Sequence, residues 1–135
     1  MDKNYLKAKE IIDNARGDLN NIFVKAECKG VENEAAYRLL ENIIEKLEDI
    51  AKGIKYLGSP TKEGILVEDS NGKYFIEYDD GSKSYNLSCG NTLELLYNDE
   101  WQIGRVEAKD GEYYFYGEGI PFLHNGMRAR KRIID

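Results

Sequence analysis

Between Leu57 and Gly64 the apolar residues of this chain stop recurring every three or four positions and begin recurring every second one. No single regular element satisfies both patterns, because a helix returns to one face about every 3.6 residues and a strand about every 2. The chain must therefore fold in two regimes, helical first and extended second.

On the helical side, Tyr5, Ala8, Ile12, Ala15, Leu19, Ile22 and Ala26 alternate in steps of three and four, the seam of a coiled coil. The pattern breaks at Cys28-Lys29-Gly30-Val31 and resumes with Ala36, Leu40, Ile43, Leu47, Ile50, Ile54 and Leu57. Asn33 is the expected N-cap of the second helix, with Glu34 in its first turn. Gly58-Ser59-Pro60 ends it, since proline cannot continue a helix. Gly17 costs about 1 kcal/mol against alanine and is expected to mark a kink. Each helix is expected to run about 22 residues, or about 33 Å, and the short connection makes the pair antiparallel. Ile11, Phe23, Leu39 and Ile44 lie beside the seam and widen the apolar stripe beyond what one helix can cover. They are the candidates for self-association into a homodimeric four-helix bundle; the competing cover is the β half of the chain.

On the extended side, Asn71-Gly72, Asp80-Gly81, Asn98-Asp99 and Asp110-Gly111 are suited to tight hairpin turns, because these residues tolerate positive φ. Between them lie seven expected strands, at 64–68, 73–78, 84–88, 92–96, 101–108, 112–116 and 127–133. Gly104, inside the fifth, is expected at a bulge or sharp bend. Seven short strands in so short a stretch favour a closed sheet, which leaves no unpaired edges. The expectation is an α+β chain: an antiparallel coiled-coil-like helical hairpin over 1–58, a linker over 59–62, and a small SH3-like antiparallel β-barrel over 63–135.

Ser88-Cys89-Gly90, Leu93-Glu94-Leu95-Leu96, Trp101, Arg105-Val106-Glu107, Gly111 followed by Tyr113-Tyr114, and Gly126-Met127-Arg128-Ala129-Arg130 resemble an uncharacterised domain family of Firmicutes and their mobile elements. The resemblance spans about residues 63–133 and leaves the hairpin outside. It implies a small SH3-like barrel and a phage or mobile-element setting, and supplies no activity, substrate or catalytic residue.

Catalytic chemistry finds little footing. A nucleophile needs a base beside it, and the one histidine, His124, stands among turn residues with no such pairing. One His and two cysteines 61 positions apart, Cys28 and Cys89, do not make a zinc site. The carboxylate pairs Glu68-Asp69, Asp79-Asp80 and Asp99-Glu100 fall at turns without calcium-loop spacing. No enzyme, metal or cofactor is expected. The N-terminus lacks a secretory core and no apolar run is long enough to span a bilayer, so the expected location is cytoplasmic, away from membranes, with both thiols reduced and structural.

Charge is the more informative signal. The whole chain carries −6, residues 1–62 balance at 11 basic and 11 acidic side chains, and residues 63–119 hold 4 basic and 13 acidic ones, a net of −9. Against that acidic body, Arg128, Arg130 and Arg132 recur every second residue and line one face of the last strand. Trp101, Tyr114 and Tyr116 fall on neighbouring expected strands, the two tyrosines opposite Tyr113 and Phe115. These six are the candidate partner-binding residues, with internal pairing of the arginines to the surplus carboxylates as the competing reading. The function expected is a non-enzymatic module that binds a host protein, as an inhibitor of a nucleic-acid-handling defence enzyme. A nucleic-acid-binding accessory role through the arginines and tyrosines is the alternative, disfavoured by the acidic balance.

Overall fold

The computed structural model describes residues 1–117 and 122–134; positions 118–121 and 135 of the expected barrel lie outside it. The chain divides into two units, Met1–Ser59 and a second beginning at Pro60. The junction is shorter than the expected linker, since the first strand already begins at Thr61.

The first unit is the helical hairpin. Helix α1 spans Lys3–Phe23 and α2 spans Val31–Leu57. Asp2 caps α1, its carboxylate accepting the Asn4 amide at 2.8 Å. Helix α2 starts two residues before the expected cap: Gly30, at φ 96°, precedes its first turn. Asn33 sits inside the helix, its amide donating to the Lys29 carbonyl at 2.9 Å. Helix α1 runs unbroken through Gly17.

The seam follows the expected one through Ala8, Ile12, Ala15 and Leu19 of α1 and Leu40, Leu47 and Ile54 of α2, all half-buried, and shifts by one residue at Phe23, Ile44 and Ala51. Phe23 stacks on Tyr37 with ring centroids 4.4 Å apart, and Leu40, Ile44, Leu47 and Ile54 follow along α2 as half-buried residues. Ala51 is the one fully buried residue of the two helices. Ile22, Ile43 and Ile50, expected within the seam, are exposed. A small side chain at 51 lets the backbones approach, which turns the larger Ile50 outward. On another face of the pair, Lys9–Asp13 at 2.6 Å and Lys52–Glu48 at 3.0 Å are surface ion pairs, contributing about 0–1 kcal/mol each.

The second unit is a six-stranded antiparallel sheet of β1 (Thr61–Glu68), β2 (Tyr74–Tyr78), β3 (Thr92–Tyr97), β4 (Glu100–Lys109), β5 (Glu112–Tyr116) and β6 (Arg128–Arg132), in the order β2-β1-β6-β3-β4-β5. Each expected turn holds a positive φ, at both residues of Asn98-Asp99 and Asp110-Gly111 and at the glycine alone of Asn71-Gly72 and Asp80-Gly81. The expected strand at 84–88 is absent. That segment instead follows the edge of β2, with the Ser84 amide donating to the Ile76 carbonyl at 2.9 Å and the Leu87 amide to that of Tyr74 at 2.7 Å.

The strand pairing leaves the sheet open, with β2 and β5 at its edges, so what forms is a six-stranded antiparallel sheet whose closure into the expected barrel is not shown. The edges nevertheless approach one another. The Tyr74 ring of β2 meets the Tyr113 ring of β5 edge-on at 6.5 Å. Leu123 spans them, its amide donating to the Tyr113 carbonyl at 3.0 Å and its carbonyl accepting the Tyr74 hydroxyl at 3.0 Å. An irregular segment thus pairs the Tyr113 carbonyl, a group that a closing ladder would have paired, and also takes the Tyr74 phenol.

The core fills one face, with Leu66, Ile76, Leu93, Leu95 and Val106 fully buried and Phe115, Met127 and Ala129 beside them. Gly104 marks no bulge, because the register runs unbroken through it from Leu93↔Gly104 to Arg105↔Tyr116.

Candidate functional site: the arginine and aromatic face of the sheet

Alternation that sends Leu93, Leu95, Val106, Phe115 and Ala129 to the core sends their neighbours to the opposite face. There the register lines up Arg130 of β6 with Glu94 of β3, and Glu94 with Ile103 of β4. Arg105 of β4 stands opposite Tyr116 of β5, and Glu107 opposite Tyr114. The strand order therefore brings all six candidate partner-binding residues, from three different strands, to one face.

Glu94 organises that face. Its side chain is fully buried, yet it lies within a strand that is otherwise leucine-rich. Arg130 reaches Oε1 through Nε at 3.0 Å and Nη2 at 2.9 Å. Arg132 reaches Oε2 through Nε at 2.8 Å and Oε1 through Nη2 at 3.0 Å. Burial pushes the Glu94 carboxyl upward, but the hydrogen bonds from Arg132 and Arg130 outweigh it and hold the group below its ordinary value. Forked, charge-assisted bonds of this kind fix planar guanidinium groups in one orientation.

Arg128 is held separately, by Glu63 at 3.0 Å and by both oxygens of Asp79. The Arg130 guanidinium lies over the half-buried Trp101 ring at 4.2 Å, and that of Arg105 over Tyr116 at 4.4 Å. Tyr114 is half-buried, whereas Tyr116 is 57% and Ile103 54% exposed. The arginine row is thus neutralised inside its own unit, as the competing reading of the sequence had it. Four members of the face, Glu94, Ile103, Arg105 and Glu107, were not among the candidates from sequence. A lone carboxylate between leucines in Leu93-Glu94-Leu95 was the signal for Glu94, because a strand seldom places an acid there without a buried cation.

Of the self-association candidates, Ile11 and Leu39 are well exposed. Phe23 and Ile44 are instead half-buried, and Phe23 stacks within the hairpin on Tyr37. Both cysteines are exposed, so neither serves as a packed structural residue. His124 is exposed, with Nδ1 3.2 Å from the Asn125 carbonyl. Among the described residues no group of three or more His, Cys, Asp or Glu is placed to hold a metal ion, and no helix is long and apolar enough to cross a membrane.

The profile of a domain of unknown function, DUF5348, matches residues 64–131, from Gly64 in β1 to Lys131 in β6. The chain belongs to this family. The DUF5348 match contains the whole arginine and aromatic face except Arg132, and leaves the hairpin outside. A crystal structure of a protein from Ruminococcus gnavus is 32% identical, the alignment covering 53% of this DUF5348 chain and 99% of that one with a TM-score of 0.44. No curated protein matches the chain.

Proposed function

We propose that this DUF5348 protein is a non-enzymatic binding module whose sheet face of Trp101, Ile103, Tyr114 and Tyr116 seats a partner protein. One observation carries the reading: the guanidinium groups of the arginine row are already held by Glu63, Asp79 and Glu94, and that of Arg105 by Glu107, beside exposed Ile103 and Tyr116. A face of oriented arginines, aromatic rings and accessible aliphatic surface has the composition of protein-interface hot spots. A phosphate strand would have to compete with these carboxylates for the same cations.

In its finer form, the partner is a host nucleic-acid-handling defence protein and the setting a phage or mobile element of Firmicutes. The net −9 of residues 63–119 favours this, because an acidic body is attracted to a cleft built to receive phosphates. Affinity capture from host lysate should retain a protein on the wild-type chain and lose it on Ile103→Lys, with unchanged circular dichroism. Capture indifferent to Ile103→Lys, together with salt-dependent binding of single-stranded DNA or RNA, would replace this reading by the nucleic-acid one.

The hairpin belongs to the same proposal as an assembly device. Leu39, Ile43, Ile50 and Leu57 stand exposed along α2, and Ile11 and Ile22 along α1. Two copies burying such stripes make a four-helix bundle. Light scattering should give a dimer for the wild type and a monomer for Leu39→Asp; a monomeric wild type removes this element of the proposal. Ile44 is a poor site for that test, since it is already half-buried.

A further inference from the structure

Where the edges of the sheet approach, they border a half-open pocket of about 390 Å³ lined by Tyr74, Tyr113, Phe122, Leu123, Glu68 and Glu112. Tyr74 and Tyr113 line it from the core side of β2 and β5, and none of its lining residues belongs to the arginine and aromatic cluster. The Tyr74 and Tyr113 rings stand nearly perpendicular, at 82°, and form two walls of a corner. Phe122, about half exposed, stands at the same opening. Glu68 is tied to one wall, with the Tyr74 hydroxyl 3.3 Å from its Oε2. Glu112 lines the rim from the first position of β5, opposite Lys109 in the register and beside the Asp110-Gly111 turn.

The charged residues that line this corner are carboxylates, with Lys109 opposite Glu112 in the register and Lys73 next to Tyr74 in the chain. Aromatic faces present negative potential, and two carboxylates add formal negative charge. Among the described residues, no lysine or arginine forms an ion pair with Glu68 or Glu112, in contrast to Glu63, Asp79, Asp80, Glu94 and Glu107. Both carboxylates act on one place: burial first, then Glu68, with Glu112 adding to it, push the Tyr74 phenol above its ordinary value. The volume is at the low end for a small-molecule site, which suits a single side chain or a slender amine rather than a nucleotide.

We propose that this corner binds an alkylammonium group, with Tyr74, Tyr113 and Phe122 packing around the cation and Glu68 and Glu112 neutralising it. A lysine side chain on a polypeptide and a free polyamine share that chemistry. Three amines test the site on the full-length protein by amide chemical-shift titration: a lysine-containing peptide, the same peptide acetylated on the lysine nitrogen, and spermidine.

The expected result is saturable shifts at Gly72, Gly111, Tyr113 and Leu123 with a cationic ligand and none with the acetylated peptide. Glu68→Gln/Glu112→Gln should weaken binding about tenfold or more, and Tyr113→Leu by a similar factor. Unchanged signals for Leu93 and Ala129 show that each variant remains folded. Tighter binding of the peptide assigns the cation to a polypeptide, and tighter binding of spermidine to a free polyamine. Equal shifts with the acetylated peptide, no saturation with either cation, or undiminished affinity in Glu68→Gln/Glu112→Gln overturns the proposal. The titration uses purified protein and small ligands, so its failure leaves the partner-protein reading of the other face untouched.

Discussion

Replacing Glu94 by alanine is expected to destabilise the sheet unit by about 3 kcal/mol, measured by urea denaturation at neutral pH. The carboxylate is fully buried, and it is the shared acceptor of Arg130 and Arg132, which are themselves only 18% and 13% exposed. Its loss leaves positive charge crowded in a site with little water to solvate it. The favourable half of the interaction disappears while much of the desolvation of the arginines remains. Replacing the cluster together, as Glu94→Leu/Arg130→Met/Arg132→Met, is expected to recover the loss. Isosteric apolar packing commonly equals or exceeds a buried ion cluster in stability. If the triple variant is as unstable as Glu94→Ala, the cluster is a net source of stability rather than a means of orienting the face.

The same residue sets a pH dependence. The Glu94 carboxyl is held below its ordinary value when folded, so the unfolded chain binds its proton more readily. Its contribution is fully present above about pH 4.3, the unfolded value, and is lost as pH falls through the lower folded value. Asp80 acts in the same direction: hydrogen bonds from Ser82, then Lys62, lower it to about 2. The difference in stability between wild type and Glu94→Gln should therefore be greatest near neutrality and shrink below about pH 4. A difference that stays constant across that window would mean that the charge of Glu94 is not what stabilises the cluster.

What could be read from the sequence was local. The turn residues specified their own backbone, and Asn98, Asp99, Asp110 and Gly72 adopt the positive φ expected of them. Alternation correctly divided Tyr113 and Phe115 from Tyr114 and Tyr116. The phase of the helical seam was not local. Steps of three and four fit both Leu40-Ile43-Leu47-Ile50-Ile54 and Tyr37-Leu40-Ile44-Leu47-Ala51-Ile54 within one broad apolar arc. The choice between them is made across the hairpin, by the stacking of Phe23 on Tyr37 and by the small side chain at Ala51. Strand order is non-local as well. The arginine row was visible at every second residue, but only the placement of β6 between β1 and β3 sets Glu63 on one side of it and Glu94 on the other. The ammonium-binding corner depends on the curl that brings β2 toward β5, which no spacing records.

Substitution of Gly104, which the sequence marks as special and which the structure shows without a bulge, should be among the costliest in the unit. A Cβ at Gly104 would stand 2.3 Å from Cε2 of Phe115 and 2.4 Å from the Tyr116 carbonyl oxygen. Glycine is required there because the Phe115 ring and the Tyr116 carbonyl occupy the place of a Cβ. Gly104→Ala is expected to cost about 3 kcal/mol, the upper end of the overpacking range, since both a core ring and a strand carbonyl must move. Gly64→Ala should cost at least as much, because its Cβ would meet only backbone, the Glu77 carbonyl oxygen at 2.1 Å and the Tyr78 Cα at 2.6 Å. The two sites differ in what can relieve them. Trimming the ring with Phe115→Leu should make the double variant Gly104→Ala/Phe115→Leu less destabilised than the sum of its parts, by a coupling of about 1 kcal/mol in urea denaturation. Phe115→Leu should bring no such relief to Gly64→Ala, where no side chain stands in the way. Strict additivity at Gly104 would mean that the Tyr116 carbonyl, rather than the ring, is the obstacle, and that the separation of β4 from β5 is what the glycine secures.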